Sequence, residues 1–436
     1  MRKIAVGVGS SALPDSYKAG KQAAALALRK MKQKRADFVL VFASVRYELG
    51  RLLAGVREVT RQAPLIGCSS AAEITDKGPR RWSVAVMAVR SDYMKFLVGL
   101  GKDVTKHSRL AGQEAALSVA SKMKVDVTLA TRKSIKSKSK EKGAKPFGKY
   151  APFTVIMLPD GLNGDGSEII NGITDVLGYG AQVIGGSAAD DMRLEKCFQF
   201  FNEFVLTDSV PVALIASDLI TGVGIEHGWK PKGRAAVVTH AKDNVLYELD
   251  ERRALDVYKE ILGIQHLTSE AEVLRMLREH PLGIPEHNEE YRIRTPLSIR
   301  KDGAIFFSAH VPHSVPVRVM DAEIGDTRNH EKLIASCVKA AKQAAAHLDK
   351  KEIAAALVFS CASRLEILGE QSARREIKEV KKVLGNAPLI GFYGYGQQAT
   401  RAGVAGHHDG SMVIFVISNR LFAGDRVWSN PMWYRE

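Results

Sequence analysis

Cysteine is scarce in this chain of 436 residues: Cys68, Cys197, Cys337 and Cys361 are the four present, and no two form a C-x-x-C pair. That excludes a disulfide framework and paired-thiolate zinc spacing, and it fits a reducing cytoplasm. Long apolar runs are missing as well. No segment approaches the roughly 20 apolar residues that a spanning helix requires, so no membrane span is expected. The opening MRKIAVGVGS sets two basic residues before an apolar run, but glycines break the run and leave it too short for a signal-peptide core. Acid is in deficit, 48 Asp and Glu against 63 Lys and Arg, for a formal charge of +15. Much of the excess is local: RKSIKSKSKEKGAKPFGK, residues 132–149, holds eight basic residues and one acid, a net +7. A run without apolar periodicity cannot bury enough surface to repay its ordering. Residues 132–149 therefore read as a disordered insertion, either a solvated loop or a polyanion contact.

What is present is a repeat. APLIGC at 63–68 recurs as APLIGF at 387–392, each copy about thirty residues after a Phe-centred apolar run. Around the first copy, a strand from Ile4, an alanine-rich helix capped by Asp15 or Ser16, the strand DFVLVFAS and the helix YELGRLLAGVREVTRQ lead to APLIG; Pro64 stops the second helix. A helix between two short apolar strands is a βαβ unit with parallel pairing. The pattern returns in FTVIMLPDG, SEIINGITDVLG and AQVIGGSAADD, and again in AALVFSCASR, SARREIKEVKKVLG and APLIGFYGYGQQA. Further strands follow each unit: WSVAVMAV, then CFQFFNEFVL with PVALIAS, then SMVIFVIS. Gly67, Gly185 and Gly391 are expected where the backbone leaves a buried strand and a side chain would clash or φ must be positive. Between 226 and 330 hairpin strands turn at Lys242 to Asn244 and at Asp302-Gly303. The expected fold class is α/β to α+β, with layered mixed sheets, flanking helices and repeated β-α-β-loop-β modules. The natural division is 1–225, containing the basic insertion, and 226–436.

These residues resemble the FIST family, a sensory module of bacterial signalling proteins and some eukaryotic F-box proteins. VLVFAS, PLIGCSSAAEI, SVAVMAV, LPDGL and IGGSAADD resemble the FIST N-terminal domain. VTHAKDNVLYELDERRALDVY, VFSCASR and PLIGFYGYG resemble the C-terminal one. The resemblance implies a small ligand, an amino acid or a derivative of one, and a signal passed to an output domain. Two departures stand out: Gly396-Gln397 replaces the family's usual Gly-Glu, whereas Glu73 is kept, and no kinase, cyclase, chemoreceptor or F-box segment is attached. Output is therefore expected through a separate signalling protein.

Loops leaving the carboxyl ends of parallel strands are where open α/β sheets receive ligands. The candidate ligand-binding residues are Cys68, Ser69, Ser70 and Glu73 after the first repeat; Asp160 and Asn163 after the middle strand; Ser187, Asp190 and Asp191 after the middle repeat; Cys361 and Arg364; and Tyr393, Tyr395 and Gln397 after the last. Their donors and acceptors suit a zwitterion. The serines are equally suited to capping helices and turns.

Other motifs fail on counting. DGLNGDGS from Asp160 lacks oxygen donors at the third and fifth positions of a calcium loop and reads as a turn before a capped helix. GVGSSA, Gly7 to Ala12, imitates a dinucleotide fingerprint, but Pro14 delays the helix and the next strand ends without an acid. His407-His408-Asp409 lies between glycines and reads as a surface loop, not a metal site. Cys361, beside a helix start and Arg364, has the setting of a lowered thiol pKa but no histidine base, and a buried core thiol fits it better. No complete set of nucleophile, base and oxyanion donors is legible, and no cofactor is expected. The leading expectation is a noncatalytic cytoplasmic sensor of a small polar ligand. An enzyme of unknown reaction at the strand-end loops, or a scaffold docking a polyanion through 132–149, are the alternatives. Deleting residues 132–149 abolishes retention on heparin at low salt if that stretch is a polyanion contact; unchanged retention makes it a solvated loop.

Overall fold

The computed structural model describes residues 3–124, 153–264, 269–286, 290–321, 330–346, 348–401 and 403–422. The basic stretch 132–149 lies outside them. Three modules share one layout. The first runs through strand Ile4–Ser11, helix Ser16–Met31, strand Phe38–Ala43, helix Leu49–Thr60 and strand Leu65–Ser69, then a hairpin, Ala72–Thr75 with Gly78–Arg80, and a closing strand Val84–Ser91. Local chemistry sets its helix ends: the Asp15 carboxylate caps the first at Lys18 N, Glu48 caps the second at Arg51 N, and Lys32 ends the first in a left-handed conformation.

The second module repeats this order with Met94–Lys102, Val104–Ala120, Phe153–Met157, Gly166–Leu177, Gln182–Gly186, the hairpin Gln199–Phe201 with Phe204–Leu206, and Ser209–Ser217. The third uses Leu219–Glu226, His330–Ala344, Ile353–Cys361, Ala362–Leu384, Leu389–Gly394, the hairpin Gln397–Arg401 with Val404–His408, and Met412–Leu421. Between its first strand and first helix an antiparallel sheet is inserted from residues 230 to 321, carrying helices Ala254–Leu262 and Glu270–Glu279. The turns at 243–244 and 301–303 fall where the sequence puts them.

Each module builds a six-stranded sheet in the order first strand, closing strand, second, third, and then a hairpin that comes from another module. Hairpin 72–80 leaves the first module and pairs with strand Leu389–Gly394 of the third. Hairpin 397–408 leaves the third for strand Gln182–Gly186 of the second, and hairpin 199–206 leaves the second for strand Leu65–Ser69 of the first. The exchange is cyclic and closes on itself. CFQFFNEFVL is thus an exported hairpin, and the segment equivalent to WSVAVMAV is Ser209–Ser217.

The inner faces of all three sheets pack into one core, where Phe42 and Phe392 lie 4.5 Å apart and Phe359 packs edge-on to both. The outer faces are covered by helix pairs, so the layers run helix, sheet, shared core. Close approach dictates the repeated glycines. Gly67, Gly185 and Gly391 sit within strands opposite Val41, Met157 and Val358, and an added Cβ would lie 1.8 to 2.0 Å from those residues' carbonyl oxygens. The clash is as expected, but the backbone neither turns there nor takes a positive φ. A second glycine signal explains GVGSSA. Gly7 and Gly9, Gly99 and Gly101, and Gly222 and Gly224 lie on the first strand of each module, where the carbonyls of the following helix seat directly on the sheet. For Gly9 and Gly7 those carbonyls belong to Ala23 and Ala27.

Because hairpins cross between the two halves, residues 1–225 expressed alone are expected to lack a cooperative urea transition. Coexpressed with 226–436, they should copurify as a one-to-one complex. A cooperative, monomeric 1–225 would contradict the exchange.

Candidate functional site

The three strand exits meet. Ala71 N donates to Tyr393 O at 2.9 Å, Ala189 N to Ser69 O at 2.9 Å and Tyr395 N to Ser187 O at 3.2 Å, so each exit is bonded to the next around a closed ring. Two more main-chain bonds tighten it, Ser187 N to Gly396 O at 2.9 Å and Asp191 N to Ser70 O at 3.2 Å. The second strands of the modules arrive in matching fashion: Ser44, Asp160 and Cys361 each donate their N–H to the carbonyl of a serine at the start of a closing strand, Ser83, Ser209 and Ser411. Glu73 and Gln397 lie in strands of the exchanged hairpins, not in loops. Pairing between modules converts segments without an apolar signature into strands.

Much of the candidate polar set is occupied by the protein itself. The Ser69 hydroxyl accepts from Phe198 N at 2.9 Å. Both Asp190 oxygens are filled, by Leu194 N, Glu195 N and Lys196 N at 2.7 to 2.9 Å and by the Tyr395 hydroxyl at 2.5 Å. Asp160 accepts from Leu162 N, Asn163 N, Asp208 N and the Gln199 amide, while Asn163 itself is exposed. As the turn reading predicts, Asp165 caps the helix that follows. Ser187 accepts from the Gln398 amide at 2.9 Å.

Other candidates face away from the junction. Arg364 is fully buried and binds Glu376 at 2.7 Å, the Leu333 and His227 carbonyls, and the Cys337 sulfur; Tyr393 donates to the same Glu376. Cys68 lies in the shared core, and its thiol is pushed well up by burial. Cys361 accepts from the Ser363 hydroxyl at 3.0 Å, and burial, reinforced by Asp409, raises its thiol too, so desolvation outweighs the helix start and the guanidinium.

The expectation of a surface loop at His407-His408-Asp409 is overturned. His407 and His408 are 4% exposed and Asp409 1%, because the inserted sheet covers them: Arg294 donates to His407 O, and Thr295 N and the Ser308 hydroxyl donate to Asp409. Burial by a segment more than a hundred residues away has no local sign. Among the described residues no group of three His, Cys, Asp or Glu side chains has metal-site geometry.

At the carboxyl end of the first sheet one candidate acid is incompletely satisfied. Asp191, half-buried, accepts from the Ser44 hydroxyl at 2.7 Å through Oδ2, while its Oδ1 is shielded from solvent and has no hydrogen-bond partner. Its backbone is left-handed, φ 55°, as are Met192 at 68° and Leu194 at 59°, conformations that are costly for residues with side chains. Arg46 is exposed, with its guanidinium 4.8 Å above the Tyr47 ring and bonded to Ala12 O. Burial raises the Asp191 carboxyl above its ordinary range, opposed by the Ser44 hydroxyl and the nearby Arg193. Glu73 lies behind, 1% exposed, bonded to the Ser70 hydroxyl at 2.6 Å and to the Ser83 amide and hydroxyl; burial pushes its carboxyl up to about 8. Ser44, Arg46 and Tyr47 were not among the candidates. The signal for them was available, since FASVRY leaves the first module's second strand just as Asp160 and Cys361 leave theirs. An open groove of about 810 Å³ lies at the opposite end of this sheet, lined by Asp37, Pro64, Ser91 and Lys95 among others.

The Glu73 shift has a definite sign. Its folded pKa exceeds its unfolded value near 4.5, so between those pH values the folded chain holds a proton the unfolded chain has lost, and stability falls as pH rises toward 8. In Glu73→Gln the amide can donate to Ser70 Oγ and accept from Ser83, so urea unfolding at pH 5.5 and 8.5 should differ less than in the wild type, by an amount on the order of a few kcal/mol. An unchanged difference would contradict the buried, protonated carboxyl.

Residues 37–252 match the FIST N domain and residues 254–400 the FIST C domain. A curated relative, "Uncharacterized protein MJ1623" of Methanocaldococcus jannaschii, is 33% identical over 132 residues, which is 27% of this chain; the match spans about a quarter, 26%, of that protein. Among solved structures, cyanuric acid hydrolase from A. caulinodans is similar over 49% of this chain and 71% of its own at 10% identity and a TM-score of 0.27. T. maritima PurL complexed with ATP is similar over 95% and 71% at 9% identity and a TM-score of 0.22. Both structural likenesses are too distant to bear on function.

Proposed function

This chain belongs to the FIST family, and from that premise we propose that it is a noncatalytic sensor. It binds a small polar ligand, an amino acid or a derivative of one, at the mouth formed by Ser44, Arg46 and Asp191. FIST domains are sensory domains, which supports a signalling role. On this reading the downstream receiver is a separate protein, the compartment is the cytoplasm, and the working division of the chain is 1–225 and 226–436. Among the described residues no helix is long and apolar enough to cross a membrane.

The observation that carries the reading is Asp191: a half-buried carboxylate with one oxygen that is shielded from solvent and has no hydrogen-bond partner, held on Ser44 by a left-handed backbone at the ring of strand exits. Such strain persists where the surroundings over-determine it, often at ligand sites. The carboxylate suits a ligand ammonium, and the exposed Arg46 guanidinium suits its carboxylate through a bidentate pair. Glu73 and the serines behind support the mouth, and the raised thiols favour binding over nucleophilic chemistry. Docking of a polyanion through 132–149, with its net +7, is the second reading.

Thermal-shift screening of the full chain against amino acids, organic acids and nucleotides tests the proposal, since a ligand at 100 times its Kd adds about 2.7 kcal/mol of stability. An amino acid should raise Tm without being consumed, and Asp191→Asn and Arg46→Ala should each weaken binding at least tenfold. Turnover would make it an enzyme. Wild-type affinity in both variants would remove the mouth from consideration.

A further inference from the structure

Positive charge is unevenly placed along the chain. The first module, residues 1–91, carries 17 Lys and Arg against 6 Asp and Glu, whereas residues 153–436 carry 32 against 37. Several cations of that module have acidic partners: Lys21 has Glu58, Arg51 has Glu48, Arg57 has Glu203 and Arg90 has Asp37. Lys34, Arg35 and Arg61 are exposed and have no carboxylate within ion-pair distance among the described residues. All three line the open groove of about 810 Å³ at the end of the first sheet remote from Asp191.

One of the three is held there against its backbone preference. Arg61 is the C-cap of helix Leu49–Thr60, with φ 55° and ψ −124°. The equivalent C-caps of the other modules are glycines, Gly178 at φ 72° and ψ 168° and Gly385 at φ 68° and ψ −142°. All three donate their N–H to the carbonyl four residues back, Arg57, Thr174 and Lys381. A positive φ with so extended a ψ is a glycine conformation, costly for a residue with a side chain. Attraction of a cation to the carbonyl end of a helix does not require it, because Lys32 caps helix Ser16–Met31 in the ordinary left-handed conformation, φ 59° and ψ 36°. Strain that glycine would have avoided points to a use for the guanidinium.

The groove suits an anion with an apolar body. Its lining combines half-buried Leu28, Val59 and Pro64 with Lys34, Arg35, Arg61 and Lys95. Two acids also line it. Asp37 is engaged by Ser91 N at 2.9 Å and by Arg90 at 3.8 Å, and the exposed Asp92 leaves the cations in excess. Both covering helices end here at their carboxyl termini, so side-chain cations and not helix N–H groups supply the attraction. Guanidinium forks match phosphate oxygens in pairs.

We propose that this groove is a second ligand site, which takes a soluble phosphorylated molecule with its phosphate oxygens on Lys34, Arg35 and Arg61 and its apolar body against Leu28, Val59 and Pro64. It goes beyond the sensor reading, since it lies at the far end of the sheet from Asp191 and its occupant needs no ammonium group.

Calorimetric titration of the full chain at low salt with ADP, pyrophosphate and adenosine is the test. ADP and pyrophosphate should bind, adenosine should bind at least about tenfold more weakly than ADP, and added salt should weaken ADP. Arg61→Gly, which gives the first module the glycine of the other two, should keep or raise Tm while weakening ADP by about fivefold or more, and Arg61→Lys should retain most of the affinity. Because the glycine variant is relieved of strain, its loss of binding is separable from any loss of folding. Equal binding of ADP and adenosine, or wild-type ADP affinity in Arg61→Gly, overturns the proposal. So does retention on heparin with neither ADP nor pyrophosphate bound, which makes the basic face a polyanion surface. Amino-acid binding and its response to Asp191→Asn are read in separate titrations, so the sensor reading stands or falls independently.

Discussion

Three main-chain hydrogen bonds, from Ala71 to Tyr393, Ala189 to Ser69 and Tyr395 to Ser187, tie each strand exit to the next module. The rest of the molecule is arranged so that this ring can close. Every third strand must end at the same centre, and its hairpin must reach a neighbouring sheet, so the inner faces are forced into one core and the helices outward. Glycine at 67, 185 and 391 follows from the same constraint, since only a residue without Cβ lets the third strand lie so close to the second. Because each hairpin depends on a strand from elsewhere in the chain, the contacts are non-local, and cooperativity spans both halves.

Within this frame equivalent positions carry different chemistry. Ser44, Asp160 and Cys361 occupy one position, and Glu73, Gln199 and Gln397 another. In the second module Asp160, Gln199 and Ser209 satisfy one another. Asp191 of the same module docks on Ser44 of the first and keeps a buried oxygen without a partner, and the third module leaves an amide unmatched. A sensor needs groups that its own fold does not satisfy, and the departures from repetition supply them. On the proposed reading, a ligand at Asp191 would touch segments that hydrogen-bond to neighbouring modules, which would give binding a route to the whole molecule.

The repeat, the helix caps, the hairpin turns and the mixed α and β architecture were legible in the sequence because each has a local signature: the PLIG strands, Asp15 and Asp165 before their helices, Asp302-Gly303 in its turn. The hairpin exchange was not. CSSAAE and YGYGQQ look like polar loops because their pairing partners lie hundreds of residues away, and strand pairing of that kind leaves no periodicity in short segments. For the same reason His407 and Asp409 looked like surface until the inserted sheet covered them, and Arg364 looked like a ligand group although Glu376, twelve residues on, already holds it. The repeated glycine pairs on the first strands were present in VGVG, VGLG and GVG. Compared with one another instead of with a nucleotide fingerprint, they point to helix seating.

The most direct measurement is amide hydrogen exchange at Ala71, Ala189 and Tyr395 under native conditions. If the ring is one cooperative unit, the three N–H groups exchange with the same free energy, equal to that of global unfolding, and bound ligand slows all three together. Three different opening energies, or protection by ligand at one exit alone, would mean that the exits act separately and that no shared junction exists.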